Sequence, residues 1–174
     1  DKKMYALRDV TGTVESIPLL CSSILSKKAA SGARGVVMDV KCGTGAFMGD
    51  LEGARALAQG LLETGRALDL PVRCLITNMN TPLGLAIGNA NEVTESIECL
   101  QGGGPPDLRE IVLELTAEML ILGKVETELP AAMERARTAL DDGSAMKIFR
   151  EFVKSQGGDE RVIDDPSILR PDCP

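Results

Sequence analysis

Ser16, Leu20, Ser23 and Lys27 follow one another at intervals of four, three and four residues, and at about 100° per residue a helix carries all four on one side. Ser23 and Lys27 then stand one turn apart. Arg8 lies just upstream, close enough in sequence for its guanidinium to fold across the same helix face. A flat fork of donors, a hydroxyl and an ammonium suit a planar ligand with carbonyl oxygens and a ring nitrogen that becomes anionic. The competing reading is plain: Ser and Lys at i, i+4 are commonplace on solvated helices. A second group is Asp39-Val40-Lys41-Cys42-Gly43-Thr44-Gly45, where polar side chains and glycines follow an apolar run, at the usual ligand rim of open α/β sheets. Read blandly, it is a tight turn with Lys41 in solvent. Asn78-Met79-Asn80-Thr81-Pro82-Leu83-Gly84 follows the next apolar run, so two loops are expected at one rim. Glu92 and Glu95 fall early in a helix, where the macrodipole favours carboxylates for structural reasons alone.

These groups need elements to hold them. Residues 4–10 read as a short strand or extended lead, ended by Thr11-Gly12-Thr13. From Val14 to Ala30 the apolar positions Ile17, Leu20, Cys21, Ile24 and Leu25 recur at helical spacing, with Pro18 in the tolerant first turn and a stop at Ser31-Gly32. Residues 35–41 are apolar, β-branched and too short for a helix, which predicts a buried parallel strand; residues 72–77 predict another. Between them Leu51, Ala54, Ala58, Leu61 and Leu62 mark one face of a helix over 51–68, so the strands should pair in parallel through a right-handed crossover. Further helices are expected over 90–100, 106–122, 130–141 and 144–155, with a loop at Gly102-Gly103-Gly104. The tail from Gly157, with Pro166, Pro171 and Pro174, reads as a linker. Two strands among six helical stretches give an α/β class, helices around a mixed, mostly parallel sheet. A sheet that small is incomplete by itself.

The chain has 174 residues, 44% hydrophobic and 26% charged, enough for one ordinary domain that buries roughly 70% of its unfolded surface. With 19 Lys and Arg against 26 Asp and Glu, its net charge of −7 is unsuited to gripping a nucleic acid. Tyr5 and three phenylalanines are too few for base-stacking platforms or an interfacial aromatic belt. Histidine is absent, which removes Ser-His-Asp catalysis and His-ligated zinc from this chain. Cys21, Cys42, Cys74, Cys99 and Cys173 are odd in number and form no C-x-x-C pair, so a reducing cytoplasm is the expected location. No apolar run is long enough to span a membrane. The chain opens without Met, as if in mid-domain, and is expected to be a piece of a longer polypeptide.

Asp1-Lys2-Lys3-Met4-Tyr5-Ala6-Leu7-Arg8-Asp9-Val10-Thr11, continuing through Ser16-Ile17-Pro18-Leu19 to Ser23-Ile24-Leu25-Ser26-Lys27-Lys28, closely resembles the thymidine and pyrimidine-nucleoside phosphorylase family. Met38-Asp39-Val40-Lys41-x-Gly43-x-Gly45-Ala46-Phe47-Met48 resembles it again, as do Met79-Asn80-x-Pro82-Leu83-Gly84 and Gly88-Asn89-Ala90-x-Glu92-Val93, so that the likeness covers about residues 1–155. The resemblance implies the nucleoside phosphorylase and phosphoribosyltransferase type of catalytic domain. It implies attack of inorganic phosphate on the anomeric carbon of a pyrimidine nucleoside, with no covalent enzyme intermediate and no organic cofactor. By that likeness Arg8 and Lys27 bind the carbonyl side of the pyrimidine, Ser23 bonds the ring edge, and Tyr5 lines the pocket. It also implies a monovalent cation, K+, at Leu83, Ala86 and Glu95, and a homodimer for the full-length protein.

In that family a phosphate-binding Lys-Ser segment, a glycine-rich loop and an active-site histidine precede the position that corresponds to Asp1. The implied division is residues 1–31 as the end of the helical domain with the base-binding helix, 32–156 as part of the α/β catalytic domain, and 157–174 as a linker toward a C-terminal α+β domain. The base half of a cleft is expected without its phosphate half, so the 174 residues alone should show no turnover. Two other readings remain open at this point. The Tyr5–Thr11 segment also resembles archaeal AMP phosphorylases, relatives of the anthranilate phosphoribosyltransferases, although the 82–93 stretch favours the pyrimidine branch. A non-catalytic remnant that binds a nucleoside or a partner surface is the other.

Overall fold

The computed structural model describes residues 2–169; Asp1 and, in the tail, Pro171, Cys173 and Pro174 lie outside the described residues. The order is α1 Lys2–Val10, α2 Ile17–Ala30, β1 Val36–Cys42, α3 Leu51–Ala67, β2 Val72–Asn78, α4 Asn89–Leu100, α5 Pro106–Leu122, α6 Leu129–Asp141 and α7 Ser144–Ser155. Two 3-10 turns, Glu160–Ile163 and Pro166–Leu169, follow within the tail, and Ile163 is buried. Elements after Thr13 start and stop within one or two residues of the expected limits, apart from α2, whose helix begins at Ile17. Residues 4–10 are a correction: they are not an extended lead but helix α1. Met4, Leu7 and Val10 recur every three residues there and stand exposed, a stripe that helical spacing allows and that does not reach the core.

The chain forms two compact units, one of Asp1–Pro82 with Glu118–Thr127, the other of Leu83–Ala117 with Glu128–Pro174. In the first, β1 and β2 pair in parallel with Val36 level with Val72 and Cys42 level with Asn78. A helix-rich chain with a small parallel sheet is the α/β arrangement expected, and the two-stranded sheet among the described residues is wholly parallel. Because the register has no offset, the carboxyl ends of both strands arrive together at one edge.

Helix α3 closes the crossover. Asp50 caps it by accepting the Gly53 N–H at 2.8 Å, and Ala54, Ala58, Leu61 and Gly65 turn inward. Ala54, Ala58 and Leu61 pack with Cys21 and Leu25 of α2 and Val36 and Val40 of β1 in one hydrophobic core. Leu51, expected on that face, is half exposed at 49% because it sits in the first turn, beyond the sheet's cover.

Two glycines set the distances within this core. A Cβ at Gly60 would meet Cys21 Sγ at 2.9 Å, so its absence lets α2 close on α3; at Gly65 it would lie 2.5 Å from Val72 Cγ2 and 2.8 Å from the Leu70 carbonyl. Helix α2 buries residues on two sides, Cys21 and Leu25 on one and Ser23 on the other. Cys21 and Leu25 face the core, while Ser23, 200° further round from Cys21 at 100° per residue, faces a cavity. Overpacking at Gly65 should be costly, so Gly65→Ala should lower unfolding free energy by about 1–3 kcal/mol in urea titrations. Gly49→Ala, with nothing near the added carbon, should stay within about 0.5 kcal/mol of the parent.

Candidate functional site

In the first unit Tyr5 and Arg8 of α1, Leu20, Ser23 and Lys27 of α2, Asp39 and Lys41 of β1, and Phe47 and Met79 of the two rim loops surround a cavity of about 410 Å³. That is the size of a small-molecule site. Tyr5, Arg8, Ser23 and Lys27 are therefore brought together. Ser16, the first member of the expected row, is not: it sits at the start of α2 and is not among the residues that line the cavity.

Arg8 is the most constrained of the four. Helical spacing puts it one turn from Tyr5, and its guanidinium lies 5.0 Å from the Tyr5 ring centroid, a cation–π contact. Its Nη2 donates to the Val14 carbonyl, reached because α1 stops at Thr11 and Gly12 (φ +64°) turns the chain back. The side chain is only 6% exposed, yet Nε and Nη1 have no hydrogen-bond partner. A buried donor left open costs about 1–3 kcal/mol. Both atoms are closed to solvent, so a ligand oxygen meets them only if the groups that cover them move. Ser23, 9% exposed, presents its hydroxyl from the cavity face of α2, and Lys27, one turn on, is exposed.

Asp39 and Lys41, two apart on β1, share a face, and the register sets Lys41 level with Thr77. Lys41 is not in solvent as its bland reading had it. Its Nζ lies 2.6 Å from Asp39 Oδ2 and 3.1 Å from Thr77 Oγ1, and the Thr77 hydroxyl donates to Asp39 Oδ1. Thr77 and Phe47 were missed as site residues. Thr77 reaches the site through the strand register, which carries position 77 to the same level as 41 and which residue order does not give.

The two rim loops are sewn together. The Met79 N–H donates to the Cys42 carbonyl at 2.7 Å, the Gly45 N–H to the Met79 carbonyl at 2.9 Å, and the Thr44 N–H to Asn80 Oδ1 at 3.0 Å, while the Gly43 N–H donates to the Met48 carbonyl at 3.0 Å. These amides are all consumed inside the rim, so Gly43-Thr44-Gly45 does not cradle a phosphate. Gly43 (φ +134°) has no room for a side chain: a Cβ would lie 2.6 Å from Asn80 Oδ1 and 2.9 Å from the Asn80 nitrogen.

In the second unit the segment from Leu83 wraps Glu95. Glu95 is 8% exposed, and its Oε1 accepts the Leu85 and Ala86 N–H groups at 2.8 and 3.0 Å. Oε2 accepts no hydrogen bond among the described residues and lies against Gly84, where a Cβ would approach it to 2.3 Å. Glu92 instead accepts the Gly88 N–H at 3.1 Å at the start of α4. Among the described residues no three His, Cys, Asp or Glu side chains cluster to hold a metal ion. A cation at Glu95 must therefore take its other ligands from backbone oxygens, and a carboxylate with one open oxygen beside a folded loop fits that requirement. Burial pushes the Cys21, Cys74 and Cys99 thiols up, which suits them to packing and not to nucleophilic attack.

The described elements form an α/β fragment with a small parallel sheet and a cavity at its edge. A family model described as glycosyl transferase family, a/b domain matches residues 1–146, and the chain belongs to that family. It is 52% identical over 169 residues to a pyrimidine-nucleoside phosphorylase of Staphylococcus aureus (strain bovine RF122 / ET3-1), and 50% identical over 169 residues to a pyrimidine-nucleoside phosphorylase of Geobacillus stearothermophilus. Each alignment covers 97% of this chain and 39% of the relative, so the chain spans about two fifths of the length of these proteins.

Because the rim depends on the bare Cα at Gly43, Gly43→Ala should separate the 43–48 and 79–80 loops. We expect a loss of about 2 kcal/mol in stability and faster amide exchange at Gly45, Thr44 and Met79, read by hydrogen–deuterium exchange.

Proposed function

We propose that the cavity is the pyrimidine-binding half of a nucleoside phosphorylase, and that the whole protein cleaves a pyrimidine nucleoside with inorganic phosphate to give the free base and a pentose 1-phosphate. One observation carries the reading: a guanidinium 6% exposed, with two nitrogens left unbonded, belongs to the lining of a cavity shared with Ser23 and Lys27. The identity of 50 to 52% with pyrimidine-nucleoside phosphorylases supports the substrate class.

In phosphorolysis an oxygen of phosphate bonds to the anomeric carbon as the C1′–N1 bond breaks, and the electron pair of that bond leaves with the base. The departing ring spreads its negative charge over N1, O2 and O4. Arg8 Nε and Nη1, the Ser23 hydroxyl and the Lys27 ammonium are donors on the side where this charge grows, so they bind the transition state more strongly than the neutral nucleoside. Tyr5 holds the guanidinium from one face and reduces its freedom to turn away. With the amides of Gly43, Thr44 and Gly45 consumed in the rim, the phosphate is held by residues of the longer protein.

The same reading extends to a homodimer in the cytoplasm; that the four described cysteines are free supports a reducing location. It also extends to potassium held by Glu95 with the carbonyls of Leu83 and Ala86, an ion that would neutralise the buried carboxylate and stiffen the loop over it. Glu95, 8% exposed and bonded by the protein through Oε1, supports this assignment.

The full-length protein that carries this chain should release free base from thymidine or uridine only when phosphate is present. Arg8→Leu should lower kcat/KM about 10²–10³-fold while its melting temperature stays near the parent's, because the substitution also removes two unsatisfied buried donors. Release of adenine from AMP with no cleavage of either pyrimidine nucleoside would turn the assignment to the AMP phosphorylases, and binding without cleavage would turn it to a non-catalytic protein. For the cation, the melting temperature should be higher in potassium chloride than in tetramethylammonium chloride at equal ionic strength. Glu95→Gln should remove that difference; equal melting temperatures for the parent in both salts exclude the site.

A further inference from the structure

Among the described residues that line the cavity there is one carboxylate, Asp39. It shares the space with Arg8, Lys27 and Lys41. A carboxylate with an open oxygen would compete with any ligand for those donors, since Arg and carboxylate pair readily in a two-pronged contact. Yet each oxygen of Asp39 already has a partner on its own sheet. Oδ1 accepts the Thr77 hydroxyl, Oδ2 lies 2.6 Å from Lys41 Nζ, and Lys41 Nζ reaches Thr77 Oγ1 at 3.1 Å, closing a triangle. In the same cavity Arg8 keeps Nε and Nη1 without partners. Within one cavity the acid has a partner at each oxygen and the guanidinium has two nitrogens with none.

We infer that Lys41 and Thr77 are positioning residues for the base site: by occupying both oxygens of Asp39 they keep it from capturing Arg8, so that the guanidinium stays directed at the ligand. The inference rests on the base-binding reading above. Lys41 also cancels the charge of Asp39, which leaves the positive field of Arg8 and Lys27 for the anionic leaving base. Neither Lys41 nor Thr77 is required to touch the nucleoside.

The test uses the full-length protein, in crystals and in solution. In Lys41→Met the freed Oδ2 should draw the Arg8 guanidinium to within 4 Å of Asp39, and kcat/KM for thymidine or uridine should fall about 10–100-fold, mainly in kcat. In Asp39→Asn/Lys41→Met the competitor is gone, so Arg8 should return to Val14 and most of the lost kcat should be recovered, a rescue that a merely structural lysine would not give. An Arg8 that stays on Val14 in Lys41→Met overturns the inference, as does a double variant no more active than the single one. If Lys41→Met fails to fold, Thr77→Val, which opens Oδ1 alone, is read by the same two measures. A parent protein that cleaves no nucleoside overturns the functional reading instead, and the place of Arg8 in the Lys41→Met crystal still decides this inference.

Discussion

A guanidinium removed from water with only one of its three nitrogens bonded is the constraint around which this unit is arranged. Arg8 at 6% exposure leaves Nε and Nη1 open, at about 1–3 kcal/mol for each donor. A fold of ordinary stability carries only a few such groups, so its neighbours must hold Arg8 where it is. Tyr5 covers one face of the ion, the Val14 carbonyl takes Nη2, and the chain reversal at Gly12 brings that carbonyl within reach. The open nitrogens are then a property of the cavity and not of a wandering side chain.

The helix opposite is fixed by different means. Ser23 and Lys27 point at the cavity because the other side of α2 is drawn against α3, with Cys21 and Leu25 at 1% and 0% exposure and Gly60 allowing the approach. The polar side of α2 is thus positioned by its apolar side. The sheet contributes the floor: a register without offset brings Asp39, Lys41 and Thr77 to one level, where they satisfy one another.

Most of this was readable from residue order, and the part that was not has a physical cause. The strands were legible because residues 36–40 and 72–77 are short, apolar and bounded by turn residues, and α3 because Ala54, Ala58 and Leu61 repeat at helical intervals. Helix α1 was misread: its apolar residues Met4, Leu7 and Val10 face outward, so the burial that ordinarily ratifies a helical period is missing there. The reach of Arg8 across α2 could be argued from nearness in sequence, but its pairing with Tyr5 needed the helix. For Lys41 a local reading leaves the ligand rim and the solvent both open, because it cannot see position 77, which is distant in the chain and adjacent in the sheet. Glu95 was placed at a helix start, where a carboxylate is at home; that it gathers the Leu85 and Ala86 amides depends on a loop whose path no periodicity encodes.

The rim formed by Gly43-Thr44-Gly45 and Met79-Asn80 bears on how such a domain can diversify. Its backbone groups interlock residue by residue, from Cys42 with Met79 to Thr44 with Asn80. Neither loop can gain or lose a residue without unpairing the other. A change of length in either loop therefore disturbs both, whereas side chains on the cavity wall, such as Ala46 and Phe47, can be exchanged without breaking these bonds.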